Sequence, residues 1–439
     1  MQTKPLNLTQ IVVATSIGNA LEWFNQGLFA IFAYYIAKNF FPTSDETVSM
    51  LLAFGSVGIS YLIRPVGAVL IGSYADKRGR RPALLLTVGL MMLGTLIIAV
   101  IPTYAKIGIA APVGIFIGQL FQGLSAGGEF GAATAILSEQ APDRRGFMAS
   151  WQFATQGFAT LLSACFGFAL ARLMPADELA AWGWRVPFYF GLLIAPAALY
   201  LRKFLEDGAD FTESSRTHTP VRDVFAKQKI MLVTAIGALT ISTAVSFALQ
   251  YIPTFAIREL KLDAATGFGA AVLAGTILTF VTPFAGYLSD RIGRIKQMSI
   301  VAIAFLVTTY PAFSYVVAHV SVTALFMLVG WLALLKSIYF GALPALMAEL
   351  FPVSTRATGM SLSYNVGVTV FGGFTPAISI WLLGVTGDKT APSFYLMFAA
   401  LVSLGALASA SRVMSRPKGV GWPLEEKRLD PSISDTERA

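Results

Sequence analysis

The chain has 439 residues, 55% of them apolar and 13% charged, against roughly 45–50% and about 25% in an ordinary soluble domain; this excludes a water-soluble enzyme. A single cysteine, Cys165, rules out an intrachain disulfide, and two histidines, His218 and His319, are too few for a typical metal cage. The formal charge of +8 could point to nucleic acid, but its distribution follows membrane topology instead.

Twelve apolar runs fall at about 11–37, 48–71, 83–102, 111–138, 147–171, 187–204, 230–257, 265–288, 298–318, 321–348, 358–384 and 391–411, each near the roughly 20 residues a helix needs to cross a hydrocarbon core. The first follows a short polar leader, carries Glu22 in its middle and is far longer than a signal-peptide core. It therefore reads as a span. An even number of spans puts both termini on one face, whose loops hold 23 of the 32 Lys and Arg residues; the opposite loops hold seven. The positive-inside rule makes the basic face cytoplasmic, with both termini on it, in a plasma membrane such as a bacterial inner membrane. Only Arg64 and Lys336 fall inside spans, so the charge reports orientation and no nucleic-acid partner is expected. The linker of about 206–228 and the tail after Arg412 are too short to bury a core, and no GxxxxGK[ST] phosphate loop is present.

The loop after span two reads Gly72-Ser-Tyr-Ala-Asp76-Lys77-Arg78-Gly79-Arg80-Arg81. It recurs 214 residues later as Gly286-Tyr-Leu-Ser-Asp290-Arg291-Ile-Gly293-Arg294, after span eight. Glu139-Gln-Ala-Pro142 after span four recurs 210 residues on as Glu349-Leu-Phe-Pro352, after span ten. The spans thus repeat in sixes with one orientation, as in carriers built of parallel halves. The expected fold is an all-α integral membrane protein of twelve helices in two pseudo-symmetric halves, 1–205 and 229–412, joined by a cytoplasmic linker, 206–228, and followed by a tail, 413–439.

The GxxxDxxGRR loop, its weaker copy and the long central linker resemble the major facilitator superfamily over essentially the whole chain. Gly18-Asn19-Ala20-Leu21-Glu22-Trp23-Phe24, Arg64-Pro65-Val66-Gly67, Gln122-Gly123 through Gly127-Gly128-Glu129, Trp182-Gly183-Trp184-Arg185-Val186-Pro187-Phe188 and Gly372-Gly373-Phe374-Thr375-Pro376 resemble its metabolite:proton symporter branch. Residues 375–379 and Thr386-Gly387-Asp388-Lys389 are most similar to the citrate and tricarballylate symporters. The resemblance implies a monomeric secondary transporter, not an enzyme, with no cofactor, a small organic anion such as citrate as substrate, and a proton as the coupling ion. Two departures stand out. The branch usually has Asp after Trp-Phe, where this chain has Asn25, and Arg at the start of Arg-x-x-Gln-Gly, where this chain has Gln119. Neither amide can titrate. Either coupling has moved to Glu22 or Glu129, or the chain is a facilitator or exporter of small anions or drugs with altered coupling.

The residues themselves allow the same fold. Spans three, six, nine and twelve have no Asn, Gln or charged residue in their interior, so each can face lipid. The polar residues of the other spans must enclose something wet or paired. Glu22, Asn25 and Gln26 share one face of span one. Asn25 and Gln26 either bond a neighbouring helix or meet substrate, while a carboxylate at mid-span is a proton-coupling candidate. Gln119, Gln122 and Glu129 lie on span four; Glu129 either protonates or accepts from backbone amides or Arg64. Arg64, eight residues before Gly72, either snorkels toward the cytoplasmic end or takes part in the site. Lys336, in mid-span ten with Tyr339 and Phe340 beside it, meets either an anionic ligand or the carboxylate of Glu22 or Glu129. Gln152, Gln156, Gln250, Tyr251, Tyr364 and Asn365 complete the set of substrate-site candidates. The loop residues Gly72, Asp76, Gly79, Arg80 and Arg81, with Asp290, Gly293 and Arg294, are expected to gate by bonding helix ends when the cytoplasmic mouth is shut. The other reading of these charges is topogenic.

Overall fold

The computed structural model describes residues 8–78, 80–127, 134, 137–138, 142–193, 220–352 and 355–415, and their side chains except those of 8–18, 21, 69, 72–85, 142 and 220–223. Its long elements are helices, as backbone in hydrocarbon must satisfy its own hydrogen bonds. Span one is Leu8–Ile31, span two Glu46–Arg78, span three Arg80–Val100 and span four Ala110–Ser125; span five is Arg145–Leu173, and span six begins within 186–193. The second half supplies Lys229–Arg258, Ala264–Ile292, Arg294–Ala318 and Val322–Leu350 as spans seven to ten, and Ala391–Met414 as span twelve.

Local chemistry sets several ends. Asp263 caps span eight by accepting from the Thr266 N–H at 3.3 Å, and Ser321 caps span ten by accepting from the Ala324 N–H at 3.2 Å. Gly293 turns the chain between spans eight and nine at φ 91°, a conformation open to glycine and costly for a side chain. This is the tight turn expected of the repeated loop.

Two spans depart from the continuous helices expected of them. Span one stops at Ile31 and resumes as Ala33–Phe40, with Phe32 at φ −95° and ψ 11° between the pieces. Span eleven runs as Arg356–Gly367, passes through a π-helical segment at Val368–Gly373, and resumes as Thr375–Thr386. Apolar periodicity marks a buried stretch but does not register one inserted residue in a turn.

Packing repeats with the sequence. Span three packs on span four and span one on span five; in the second half, span nine packs on span ten and span seven on span eleven. The halves meet where span five lies along span eight and where span two crosses span eleven. A shift of six spans exchanges these two junctions, so the internal repeat is also a repeat of the interface. At the first, a Cβ on Gly286 would lie 2.5 Å from the Gly146 carbonyl oxygen; glycine lets the two backbones touch.

Burial separates central from peripheral helices. In the most apolar stretch of span seven 78% of residues are buried inside the protein, against 33% in span nine and 39% in span twelve. Leu86, Leu93 and Leu96 of span three, Leu193 of span six, Val307 of span nine and Phe398 of span twelve are exposed. Spans nine and twelve, two of the four that the distribution of polar residues left free to face lipid, are thus less buried than spans two, five, seven, eight, ten and eleven.

Candidate functional site

A charged cluster forms where spans one and two meet. Glu22 and Gln26 are one turn apart, and Gln26 Nε2 donates to Glu22 Oε1 at 3.2 Å. The Gln26 oxygen accepts from Arg64 Nη2 and, at 3.1 Å, from the Tyr61 hydroxyl. Arg64 Nη2 stands 3.9 Å from Glu22 Oε1, and its guanidinium lies over the Tyr61 ring at 4.1 Å. Arg64 is 1% exposed. The snorkelling expected as one reading of Arg64 is overturned: the guanidinium turns inward, because a carboxylate, an amide oxygen and an aromatic face are within its reach.

Lys336 is 5% exposed, in the middle of span ten. Among the described residues no carboxylate lies within ion-pair distance of it; its ammonium sits 4.7 Å above the centre of the Phe340 ring. Phe340 is in turn stacked on Phe153 of span five, centroids 3.9 Å apart and planes 8° from parallel. A cation on an aromatic face is held by the ring quadrupole without being neutralised. The salt bridge considered between Lys336 and Glu22 is not formed, since Glu22 has Arg64 beside it.

The other candidates divide between the two halves and their junction. Gln156 Nε2 donates to the Tyr364 hydroxyl at 3.0 Å, joining span five to span eleven. Asn365 Nδ2 donates to the Gly127 carbonyl at 3.1 Å, joining span eleven to the chain just beyond span four. Gln122 turns aside to Thr95 of span three, 3.0 Å away, and the Tyr339 hydroxyl donates to the Ala238 carbonyl at 2.7 Å. Gln122 Nε2 and the Tyr339 hydroxyl are thus engaged within their own halves, while Gln122 Oε1 is buried without a hydrogen-bond partner among the described residues. Gln152 is fully buried with neither amide atom hydrogen-bonded among the described residues, and the Tyr251 hydroxyl is likewise buried without a partner among them. Gln250 is 7% exposed.

Asn25 Oδ1 lies against Gly191 of span six and has no hydrogen-bond partner among the described residues, and Gln119 Nε2 has none among them either. The two amides that stand at the expected acid/base positions therefore do not bond each other. Glu129 and Gly79 lie outside the described residues, as do the surroundings of Gly72, Asp76, Arg80 and Arg81.

The second copy of the loop motif is well defined. Asp290 accepts from the backbone N–H groups of Gly146 at 2.8 Å and Phe147 at 3.1 Å, at the start of span five. Arg294 Nη2 bridges Asp290 at 3.0 Å and Glu349 at 3.1 Å. The two repeated motifs of the second half are thus in contact. On the opposite face, Arg258 Nη2 donates to Thr47 Oγ1 at 2.7 Å and Lys389 Nζ to the Glu259 carbonyl at 2.7 Å. Asp388 accepts from the backbone N–H and hydroxyl of Thr390 at 2.8 and 2.7 Å, and these bonds hold its carboxyl below the usual range.

Sequence reasoning missed the work of Arg185. Its guanidinium donates to the carbonyls of Ala99, at 2.5 Å, and Ile101, at 2.7 Å, at the end of span three, and stacks on Trp184 at 4.4 Å. The signal available was an Arg in a Trp-rich loop, facing a helix C-terminus rich in unpaired carbonyls.

Residues 15–362 and 278–435 match the Major Facilitator Superfamily. The citrate-proton symporter of Klebsiella pneumoniae is 38% identical over 399 residues, 90% of this chain and 89% of that one. The proline/betaine transporter of Escherichia coli K12 is 30% identical over 448 residues, 98% of this chain and 87% of that one. The crystal structure of a D-xylose-proton symporter shares the fold with a TM-score of 0.70 at 17% identity, covering 94% of this chain and 99% of that one. Sequence match, repeated halves and twelve-helix architecture agree: the chain belongs to the Major Facilitator Superfamily of membrane transporters and is not an enzyme.

Proposed function

We propose that the chain is a proton-coupled symporter of a small organic carboxylate, a di- or tricarboxylate such as citrate, working by alternating access with both termini cytoplasmic. The observation that carries this reading is Lys336, a buried cation over an aromatic face with no carboxylate beside it among the described residues. An ammonium in that position lacks the anion that would offset its desolvation, and a carboxylate substrate supplies one. Arg64 is a second buried cation, already engaged by Glu22 and Gln26. A polyanion drawn between the halves could compete with Glu22 for it, releasing a carboxylate to take up a proton.

The citrate-proton symporters support the anion, and the proline/betaine transporters support a second substrate class. A betaine carries a fixed cation that Lys336 repels, and this favours the anion. One observation favours altered coupling. Asn25 and Gln119 are buried, bear no charge and do not pair with each other, leaving Glu22 as the mid-membrane carboxylate of the described site. The deciding experiment uses the purified carrier in liposomes. An imposed acid-outside gradient should accumulate labelled citrate, and unlabelled citrate should exchange with it; exchange without accumulation supports a facilitator, and transport of betaine alone sinks the anion reading.

A further inference from the structure

The π-helical segment of span eleven, Val368–Gly373, is clasped by spans two and seven. Such turns are rare and cluster at functional sites. Thr369 Oγ1 donates to the Tyr61 backbone oxygen at 3.0 Å, and a Cβ on Gly373 would lie 2.7 Å from Tyr61 Cδ2. Tyr61 also meets Phe247 of span seven edge to face, centroids 5.2 Å apart. The ring fills the gap that Gly373 leaves, at the second of the two junctions between the halves. Its other end belongs to the charged cluster: the hydroxyl donates to Gln26, and Arg64 lies on its face. One side chain therefore contacts both the charges and the junction.

We propose that Tyr61 is the positioning residue that couples the state of the Glu22–Gln26–Arg64 cluster to the parting of spans two and eleven, with the π turn as the hinge. Around the cluster stand Glu22 of span one, Arg64 and Tyr61 of span two and Tyr364 of span eleven, all within electrostatic reach of one another. When an anion engages Arg64, or Glu22 takes a proton, the bonds that converge on the Gln26 oxygen rearrange. The Tyr61 hydroxyl loses its acceptor, its ring leaves the gap at Gly373, and the π turn is free to shift. The proton arm rests on the symport reading, and the anion arm rests on the carboxylate substrate proposed with it.

A cysteine pair reads this directly. A Cβ on Gly384 of span eleven would lie 3.2 Å from Thr47 Cγ2 of span two, so Thr47→Cys with Gly384→Cys, in a Cys165→Ser background, cross-links when the two spans are together. With Tyr61 intact, adding citrate or lowering the pH should reduce cross-linking. Tyr61→Phe keeps the ring and removes the hydroxyl, and should shrink that response roughly fivefold or more, the size of an ordinary coupling between sites. Thiol reactivity changes equally with pH in both backgrounds, so the comparison at each pH isolates the helices. Tyr61→Phe should also slow citrate counterflow while leaving its half-saturating concentration unchanged, a split that a general loss of stability does not produce. Gly373→Ala, which presses on the ring from the other side, should give low cross-linking that no longer responds. A native-sized response in Tyr61→Phe overturns the proposal, and so does a pair that responds to neither citrate nor pH with Tyr61 intact. A response to citrate but not to pH upholds the Tyr61 link and counts against proton coupling alone.

Discussion

Asp290 of span eight accepts the backbone N–H of Gly146, the second residue of span five, at 2.8 Å. The bond runs between halves, from a carboxylate in the last turn of span eight to the positive end of span five. A charge so placed contributes roughly 0.3–1 kcal/mol, and up to about 2 when partly buried. Asp290→Asn keeps the shape and loses the charge, so the junction of spans five and eight should open about 2- to 30-fold more often on the basic face. A single cysteine at Ser150, buried against Gly286, placed in a Cys165→Ser background, would then be alkylated several-fold faster. Equal rates would reduce the repeated loop to topogenic charge.

Arg185 closes the end of span three with charge-assisted bonds to Ala99 and Ile101, on the face opposite the basic loops. Bonds to a charged group contribute roughly 1.5–3 kcal/mol each, and the carbonyls left by Arg185→Ala would keep no partner of equal strength. The variant should melt several degrees lower. Turnover per folded molecule should be preserved, because Arg185 touches none of the site residues. Reduced turnover at unchanged stability would place Arg185 in the transport cycle instead.

The fold was largely legible because lipid leaves the chain few choices. Spans of about 20 apolar residues, the Lys and Arg asymmetry and the loop that returns near Gly286 together define twelve helices in two halves. The site was legible as a set of helix faces but not as a set of partners. Gln26 and Gln122 look alike in sequence, yet Gln26 joins the charged cluster and Gln122 bonds Thr95 in its own half. Helical spacing says which residues share a face; which neighbour that face meets depends on crossing angles and on where glycines let backbones approach. Tyr61 and Phe153 passed unnoticed for the same reason. An aromatic in an apolar span has no sequence mark that separates lipid-facing from junction-filling positions, and the π turn at Val368 has none beyond Gly372-Gly373.

Glu22 accepts from Gln26 and stands 3.9 Å from Arg64, so a neutral amide in its place can keep the packing while losing the titration. Glu22→Gln should retain citrate counterflow and lose acid-driven accumulation. The expected ratio of the two rates falls by at least the roughly fivefold of an ordinary coupling. Equal loss of both would mean that Glu22 holds Arg64 in place and nothing more.

Lys336 gives the sharpest test, since its two roles predict opposite signs. If the ammonium waits for an anion, Lys336→Met removes a buried charge without a partner and relieves its desolvation. The empty carrier should then melt at the same temperature or higher. Citrate should bind more weakly by the roughly 1.5–3 kcal/mol of a charge-assisted bond, about 10- to 150-fold in Kd. Lys336→Arg, which keeps the charge over Phe340, should recover part of that affinity. If Lys336 instead neutralises a carboxylate such as Glu129, the same substitution strands a buried anion at a cost of roughly 3–5 kcal/mol. Melting of the purified variants with and without citrate separates the cases: a lower melting temperature with an undiminished citrate shift removes Lys336 from the binding site.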